Sequence, residues 1–270
     1  MRWSRTVSSD TVEDMLLVPL LIAPAVMVAV AFVERRLGPS AAGWTAALPV
    51  SLAVSVVAVA VDMTPQAAAS LALSAATHVP AQVAFAVVSA HVLRRRGLTS
   101  GLNAGALAYV AGSFLPGPVA LALAVVALVA GPRLMPTARP LRPAPRHWSS
   151  TVLTCLSATA MVGTVMLCAR LADPIFAGGV AAFPTMCATV TVVAVTRDGP
   201  AAGAQTLTGL VRSLPCYLAF CLVVALSAPL TGVASAGLGL LAALGAAAVT
   251  WRFVPKAAPA PFVSHAEALG

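Results

Sequence analysis

Long apolar stretches, separated by short charged or proline-bearing turns, set the pattern of this chain. Residues 15–33 carry no charge and stop at Glu34-Arg35-Arg36. A helix of that length runs about 28 Å, enough to cross the hydrocarbon core of a bilayer. The same pattern predicts spans over about 41–61, closed by Asp62, and 66–92, carrying His78, Pro80 and His91 and closed by Arg94-Arg95-Arg96. Further spans follow at about 149–171, 176–195, 201–226 and 231–252. Residues 98–131 are weakly polar and broken by Ser113-Phe114-Leu115-Pro116-Gly117-Pro118, which suits one kinked span or two short helices in a re-entrant hairpin. The runs lack the period-2 alternation of a membrane barrel. The predicted fold is therefore all-α, a polytopic membrane helix bundle of about eight spans.

The ends and the centre differ in texture. Residues 1–14 are polar, and Asp10 and Glu13 suit the positive end of a starting helix. A cleaved signal peptide fits poorly, because the first apolar run is long and more spans follow. Residues 132–148 hold Pro132, Pro136, Pro140, Pro143 and Pro145 with Arg133, Arg139, Arg142 and Arg146, a density that excludes helix and bilayer interior. The expected organisation is a first membrane unit over 15–131, this linker, a second unit over 149–252, and a loose tail over 253–270.

Composition narrows the class. The chain is 60% hydrophobic and 9% charged, against about 25% charged in soluble domains, so neither a soluble shell nor a disordered chain fits. A bilayer, specifically a multi-pass position in the cell membrane, is the expected environment. Lys+Arg outnumber Asp+Glu by 16 to 8. No basic segment is interleaved with aromatic residues, so the cations read as membrane-flanking loops and not as a nucleic-acid surface. Cys155, Cys168, Cys187, Cys216 and Cys221 lie in apolar runs without C-x-x-C spacing and read as buried packing, with neither disulfide nor metal. No phosphate loop, dinucleotide fingerprint, H-E-x-x-H or G-x-S-x-G occurs, so no cofactor is expected, and neither ATP-driven transport by this chain alone nor standard hydrolase chemistry fits.

Shifting the chain by 135 residues aligns 39–90 with 174–225 without a gap. Pro39, Pro49, Pro65 and Pro80 then meet Pro174, Pro184, Pro200 and Pro215, while Gly43 meets Gly178 and Phe85 meets Phe220. Alanine matches mean little in so alanine-rich a chain, but four prolines matched out of four point to an internal repeat. Eight spans, four per unit, make the units parallel, and with the N-terminus inside they leave 9 cations inside and 6 outside. A re-entrant hairpin over 98–131 makes them inverted, and with the N-terminus outside it gives 12 and 3, which the positive-inside rule prefers. Segment length favours the parallel arrangement, so both stay open.

The second unit carries Ala177-Gly178-Gly179-Val180-Ala181-Ala182-Phe183-Pro184-Thr185, then Arg197-Asp198-Gly199, then Leu214-Pro215-Cys216-Tyr217. This pattern resembles the GlpM-like inner-membrane family of small four-span proteins. The first half, with Leu48-Pro49-Val50 in place of Phe183-Pro184-Thr185, looks like a divergent copy, so the resemblance implies a tandem fusion. The family is tied loosely to glycerol use and exopolysaccharide production and implies no mechanism.

Ionisable groups inside spans are costly and become functional candidates. Arg212 can hold a carboxylate or phosphate by a two-pronged hydrogen bond, or can reach out to the interface. His78 can relay a proton or serve as a satisfied structural histidine. Both precede a helix-kinking proline, Pro80 or Pro215, in the aligned halves. Gln82, Gln205 and Tyr217 are the remaining polar groups near these kinks. Asp62 aligns with Arg197 beside Asp198, a candidate cross-repeat ion pair or a set of solvated turn residues. Paired interruptions at Pro49, Pro184, Pro80 and Pro215 are what a transporter site between two repeats would show, or are kinks that only shape the packing of proline-bearing membrane helices.

The leading expectation is a carrier for a small anionic or zwitterionic metabolite, with Arg212, His78, Tyr217 and Gln82 as substrate-binding residues. A membrane-embedded enzyme, with His78 as acid/base and Arg212 as carboxylate clamp, is the alternative. An accessory subunit without its own site is the third. Replacing Arg212 by Gln separates the first two from the third. The expected partners are the bilayer and a small metabolite, and homo-oligomerisation is left open.

Overall fold

The computed structural model describes residues 39–137 and 173–253, with isolated positions at 32, 152, 156, 160, 164, 167 and 171. The expected span at 15–33, all but isolated positions of that at 149–171, and most of the linker and tail lie outside the described residues. Among those described the chain is helical without strands: α1 (Pro39–Ala46), α2 (Val50–Asp62), α3 (Pro65–Thr77), α4 (Val79–Arg96), α5 (Leu98–Ser113), α6 (Gly117–Leu134), α7 (Pro174–Ala182), α8 (Thr185–Asp198), α9 (Pro200–Thr231), α10 (Ala234–Thr250) and a closing 3-10 turn, Trp251–Phe253. Six helical segments are long and apolar enough to cross a membrane: Pro39–Asp62, Pro65–Arg96, Gly117–Leu134, Ile175–Asp198, Pro200–Thr231 and Ala234–Phe253. This is a multi-pass bundle.

Local sequence sets the starts. Pro65, Pro174 and Pro200 stand in the first turn of α3, α7 and α9, where the missing N–H has no intrahelical partner to lose. Thr64 caps α3 by accepting from Ala67 N at 3.0 Å, and Asp173 caps α7 by accepting from Ile175 N at 2.6 Å. Gly97 (φ 87°) and Gly232 (φ 57°) make the left-handed turns after α4 and α9.

The prolines act differently by position. Pro49 (φ −77°, ψ 34°) and Pro184 (φ −79°, ψ 53°) stand immediately before α2 and α8, where the helix started by α1 or α7 is interrupted. Pro80 lies in the first turn of α4, just past a break at His78. Pro215 sits inside α9, which runs unbroken from Pro200 to Thr231.

The distribution of polarity is that of a bundle in lipid. Ser55, Ser74, Gln82, Ser89, Thr191, Thr206 and Ser213 are buried, whereas Phe114, Leu226, Leu230 and Leu241 are turned outward. Buried hydroxyls return to their own helix: Thr191 donates to Cys187 O at 2.7 Å and Thr206 to Ala202 O at 3.1 Å.

Helices α3–α4 and α9 run antiparallel. Pro65 lies beside Gly232, Val83 and Val211 share Gly131 as a neighbour, and Leu93 lies beside Gly203. Glycine permits the closest crossings. A methyl at Gly43 of α1 would land on the Thr206 carbonyl of α9, and one at Gly178 of α7 would land on the Leu71 carbonyl of α3.

Residues 98–134 form a helical hairpin. Helix α5 retraces α4, with Gly101 against Leu93, Gly105 against Phe85 and Gly112 against Ala81. Helix α6 starts near Thr77 and returns, since Arg94 Nη1 donates to Thr137 O at 3.3 Å. The hairpin thus enters and leaves on the Arg94-Arg95-Arg96 end, and its tip at 114–116 reaches only the level of His78.

Valine at Gly43 or Gly178 is expected to cost about 1–3 kcal/mol or more through overpacking. Alanine at Gly237, which meets nothing within 4 Å, is expected to gain about 0.5–1 kcal/mol of helix propensity. Thermal unfolding of the purified protein in detergent checks both signs.

Candidate functional site

The two interrupted helices face each other across the middle of the bundle. Around Pro49, Leu48 N donates to Thr45 O, Val50 N to Leu48 O and Ala53 N to Pro49 O. Around Pro184, Phe183 N donates to Val180 O, Thr185 N to Phe183 O and Ala188 N to Pro184 O. These are the same three bonds, displaced by 135 residues. Between the interruptions lies a cavity of about 50 Å³ whose wall includes Ala46, Ser51, Gln82, Ala182, Thr185 and Cys187. A water needs about 10–15 Å³ of such space, so a few waters or a very small solute fill it.

Its chemistry comes from backbone ends and one amide. The N-termini of α2 and α8 meet the cavity without a side-chain cap, so their first-turn N–H groups and positive dipole ends face it. The C-terminal ends of α1 and α7 border it through Ala46 and Ala182. Gln82 is 3% exposed, and its Nε2 has no hydrogen-bond partner among the described residues. The Tyr217 hydroxyl is buried behind the cavity wall between the Gln82 amide and the Cys221 thiol, without a bond of good geometry to either. Leaving such donors unmade costs about 1–3 kcal/mol each, which a bound acceptor would recover.

Gln82 and Tyr217 are thus brought together; His78 and Arg212 are not. His78 lines a separate cavity of about 820 Å³ with Ser74, Tyr109, Ser113, Gly179 and Phe183. Arg212 lines a third, of about 460 Å³, with Arg133, Val211, Pro215 and Thr250. Its Nη1 donates to the Phe253 carbonyl at the end of the last helical turn, so the guanidinium caps a helix end. Asp62 ends α2 beside the start of α3, at the Pro65–Gly232 end of the bundle, whereas Arg197 and Asp198 lie at the Leu93–Gly203 end. Asp62 and Arg197 are nearly a helix-pair length apart, too far for an ion pair between them. Cys187, Cys216 and Cys221 are buried free thiols.

Sequence reasoning passed over Tyr109, Ser113, Asp173 and Gly179 of the His78 cavity. One signal was available: the 135-residue shift sets Gly179 against Trp44, the smallest residue against the largest.

No family model, curated protein or solved structure matches the chain.

If Gln82 Nε2 is an unmet donor, Gln82→Met removes it at similar volume and should leave thermal stability unchanged or raised by about 1–3 kcal/mol. A clear loss of stability in melting curves would mean that the amide is structurally bonded.

Proposed function

We propose that the protein is an integral membrane carrier for a small anionic or zwitterionic metabolite, built from two inverted copies of one unit. The observation that carries the reading is the pair of matched helix interruptions at Pro49 and Pro184, meeting around Gln82 inside the bundle. Discontinuous helices at corresponding places in two halves are the usual way a transporter exposes backbone groups to a substrate. A substrate carboxylate would sit at the N-termini of α2 and α8, taking a hydrogen bond from Gln82 Nε2, with the Tyr217 hydroxyl behind that amide. A zwitterion would place its ammonium against the carbonyl ends of α1 and α7.

The inverted relation is supported by register. Position 82 shifted by 135 is 217, and these two residues lie side by side where α3–α4 crosses α9 in the opposite direction. A pseudo-twofold axis through that crossing, perpendicular to the helices, exchanges the halves. Gly97 and Gly232 also differ by 135 and make the same left-handed turn. The GlpM-like character of the second half, with the first as a divergent copy, belongs to this reading.

Orientation follows from charge. Arg94, Arg95, Arg96 and Arg197 gather at one end, towards which the chain leads after α6 into the linker arginines, while Asp62 lies at the other. The arginine end is assigned to the cytoplasm of a cell membrane. The small central cavity represents a closed state, and rocking of the halves would open it alternately to either side. The enzyme reading has less support, since His78 and Arg212 line other cavities and leave the centre without an acid/base pair.

Metabolite profiling of a deletion strain, cells and medium separately, tests the function. A carrier leaves one compound displaced between the two without chemical change, whereas a precursor accumulating while its product disappears from both would establish an enzyme instead. For the displaced compound, uptake into proteoliposomes should fall about tenfold or more in Gln82→Leu and persist in Arg212→Gln. A membrane-impermeant maleimide on intact cells should modify Met63→Cys but spare Arg95→Cys in a cysteine-free background. Labelling of both from outside defeats the assigned orientation.

A further inference from the structure

The cavity beside His78 lies away from the central one, between α3, α5 and α7, and it is lined almost wholly by apolar groups. At about 820 Å³ it falls within the range of small-molecule sites. Its polar atoms decide what it can hold. Ser74 Oγ donates to Ile175 O at 2.5 Å, Tyr109 OH to Gly179 O at 2.6 Å, and Ser113 Oγ to Tyr109 O at 2.8 Å. His78 Nδ1 is 2.7 Å from Ser74 O; a carbonyl only accepts, so Nδ1 carries the proton. In that tautomer Nε2, which lies against Gly179, is an acceptor.

Among the described residues, every side-chain donor lining the cavity is therefore spent. What remains are acceptors: His78 Nε2, the hydroxyl lone pairs, and the carboxylate of Asp173, exposed at the rim with one oxygen on Ile175 N. The walls are aromatic. Tyr109 stacks on His78 with centroids 6.0 Å apart and meets Phe183 edge-on at 5.1 Å, and Phe114 and Phe176 stand at the mouth. Acceptors without free donors, one carboxylate and several ring faces select a cation with an apolar body. A carboxylate or phosphate would find no free side-chain donor and a like charge.

The cavity lies between the two units, and the 135-residue shift sets Trp44 against Gly179 of its wall. The Trp44 ring packs on Trp251 at 4.8 Å, and Nε1 donates to Thr250 Oγ1 at 3.4 Å. Trp44 fills the space beside its own backbone, whereas Gly179 leaves that space open to His78.

We propose that this cavity is a binding site for a lipophilic primary amine, taken from the membrane as its ammonium form. The head lies between Asp173 and His78 Nε2, and the chain lies along Phe176, Phe183 and Phe114. The site is independent of the transport reading, because it shares only Phe183 with the central cavity and uses none of its donors.

The test uses full-length protein in nanodiscs and dodecylamine bearing a terminal diazirine, with the matching dodecanol and dodecanoate as controls. Irradiation and mass spectrometry should place saturable amine label on the peptides holding Phe114 and Phe176. Unlabelled dodecylamine should compete, and dodecanoate should not. Asp173→Asn keeps the helix cap and should weaken labelling about tenfold. Gly179→Trp, which copies Trp44, should abolish it. Labelling by all three probes alike would mean bulk lipid contact and overturns the proposal. So does amine labelling that survives Gly179→Trp in a folded protein. If Gly179→Trp fails to fold, undiminished labelling of Asp173→Asn overturns it.

Discussion

In hydrocarbon no water replaces a lost backbone hydrogen bond, and this constraint organises the molecule. A proline break inside a span frees N–H and C=O groups that only the protein can shelter. Pro49 and Pro184 create two such breaks. Each is partly repaired by the same short turn, with its following helix beginning uncapped. The remaining groups cannot face lipid, so both interruptions turn inward to one small polar space beside Gln82. The interior of this bundle is therefore defined by its defects, while its most continuous apolar surfaces face outward.

Holding two breaks at one point requires unusually close helices. Gly43 lets α1 approach the Thr206 carbonyl, Gly209 lets α9 approach the Ser40 carbonyl, and Gly178 lets α7 approach the Leu71 carbonyl. The helices cross with almost no side chain between them, and van der Waals contact substitutes for the hydrophobic drive that lipid does not supply. Large residues such as Phe85, Phe220, Leu71 and Leu207 fill the layers around these crossings.

How much of this was legible in the sequence follows from which interactions are local. The spans within the described residues and the Pro49 and Pro184 breaks are local consequences of hydropathy and of a missing N–H, and they could be read directly. The hairpin over 98–134 was one of two readings, because a broken apolar run does not say which way its second half points. The relation between His78 and Arg212 was not legible. Because α3–α4 and α9 run antiparallel, positions 135 apart on them move to opposite sides as they leave the crossing, and only those at the crossing meet. Gln82 and Tyr217 meet because they are matched and central. His78 falls on Ser213 and Arg212 on Thr77 in the same shift, one position out of register and off the crossing, and they end in different cavities. The site containing Tyr109 and Gly179 depends on helices 70 residues apart in sequence, which no periodicity shows.

The two cavities differ in chemistry, and the difference traces to what lines them. Helix starts, helix ends and an amide whose nitrogen lacks a partner line the central one, so it presents free donors beside its acceptors. Side chains whose protons are already committed to neighbouring carbonyls line the lateral one, so it presents acceptors. The two spaces also depend on different contacts. The central one needs both interrupted helices, because each supplies one uncapped start. The lateral one needs a residue without a side chain at Gly179, whose added Cβ would meet the His78 ring, while the close crossings at Gly43 and Gly178 hold the helices that frame both.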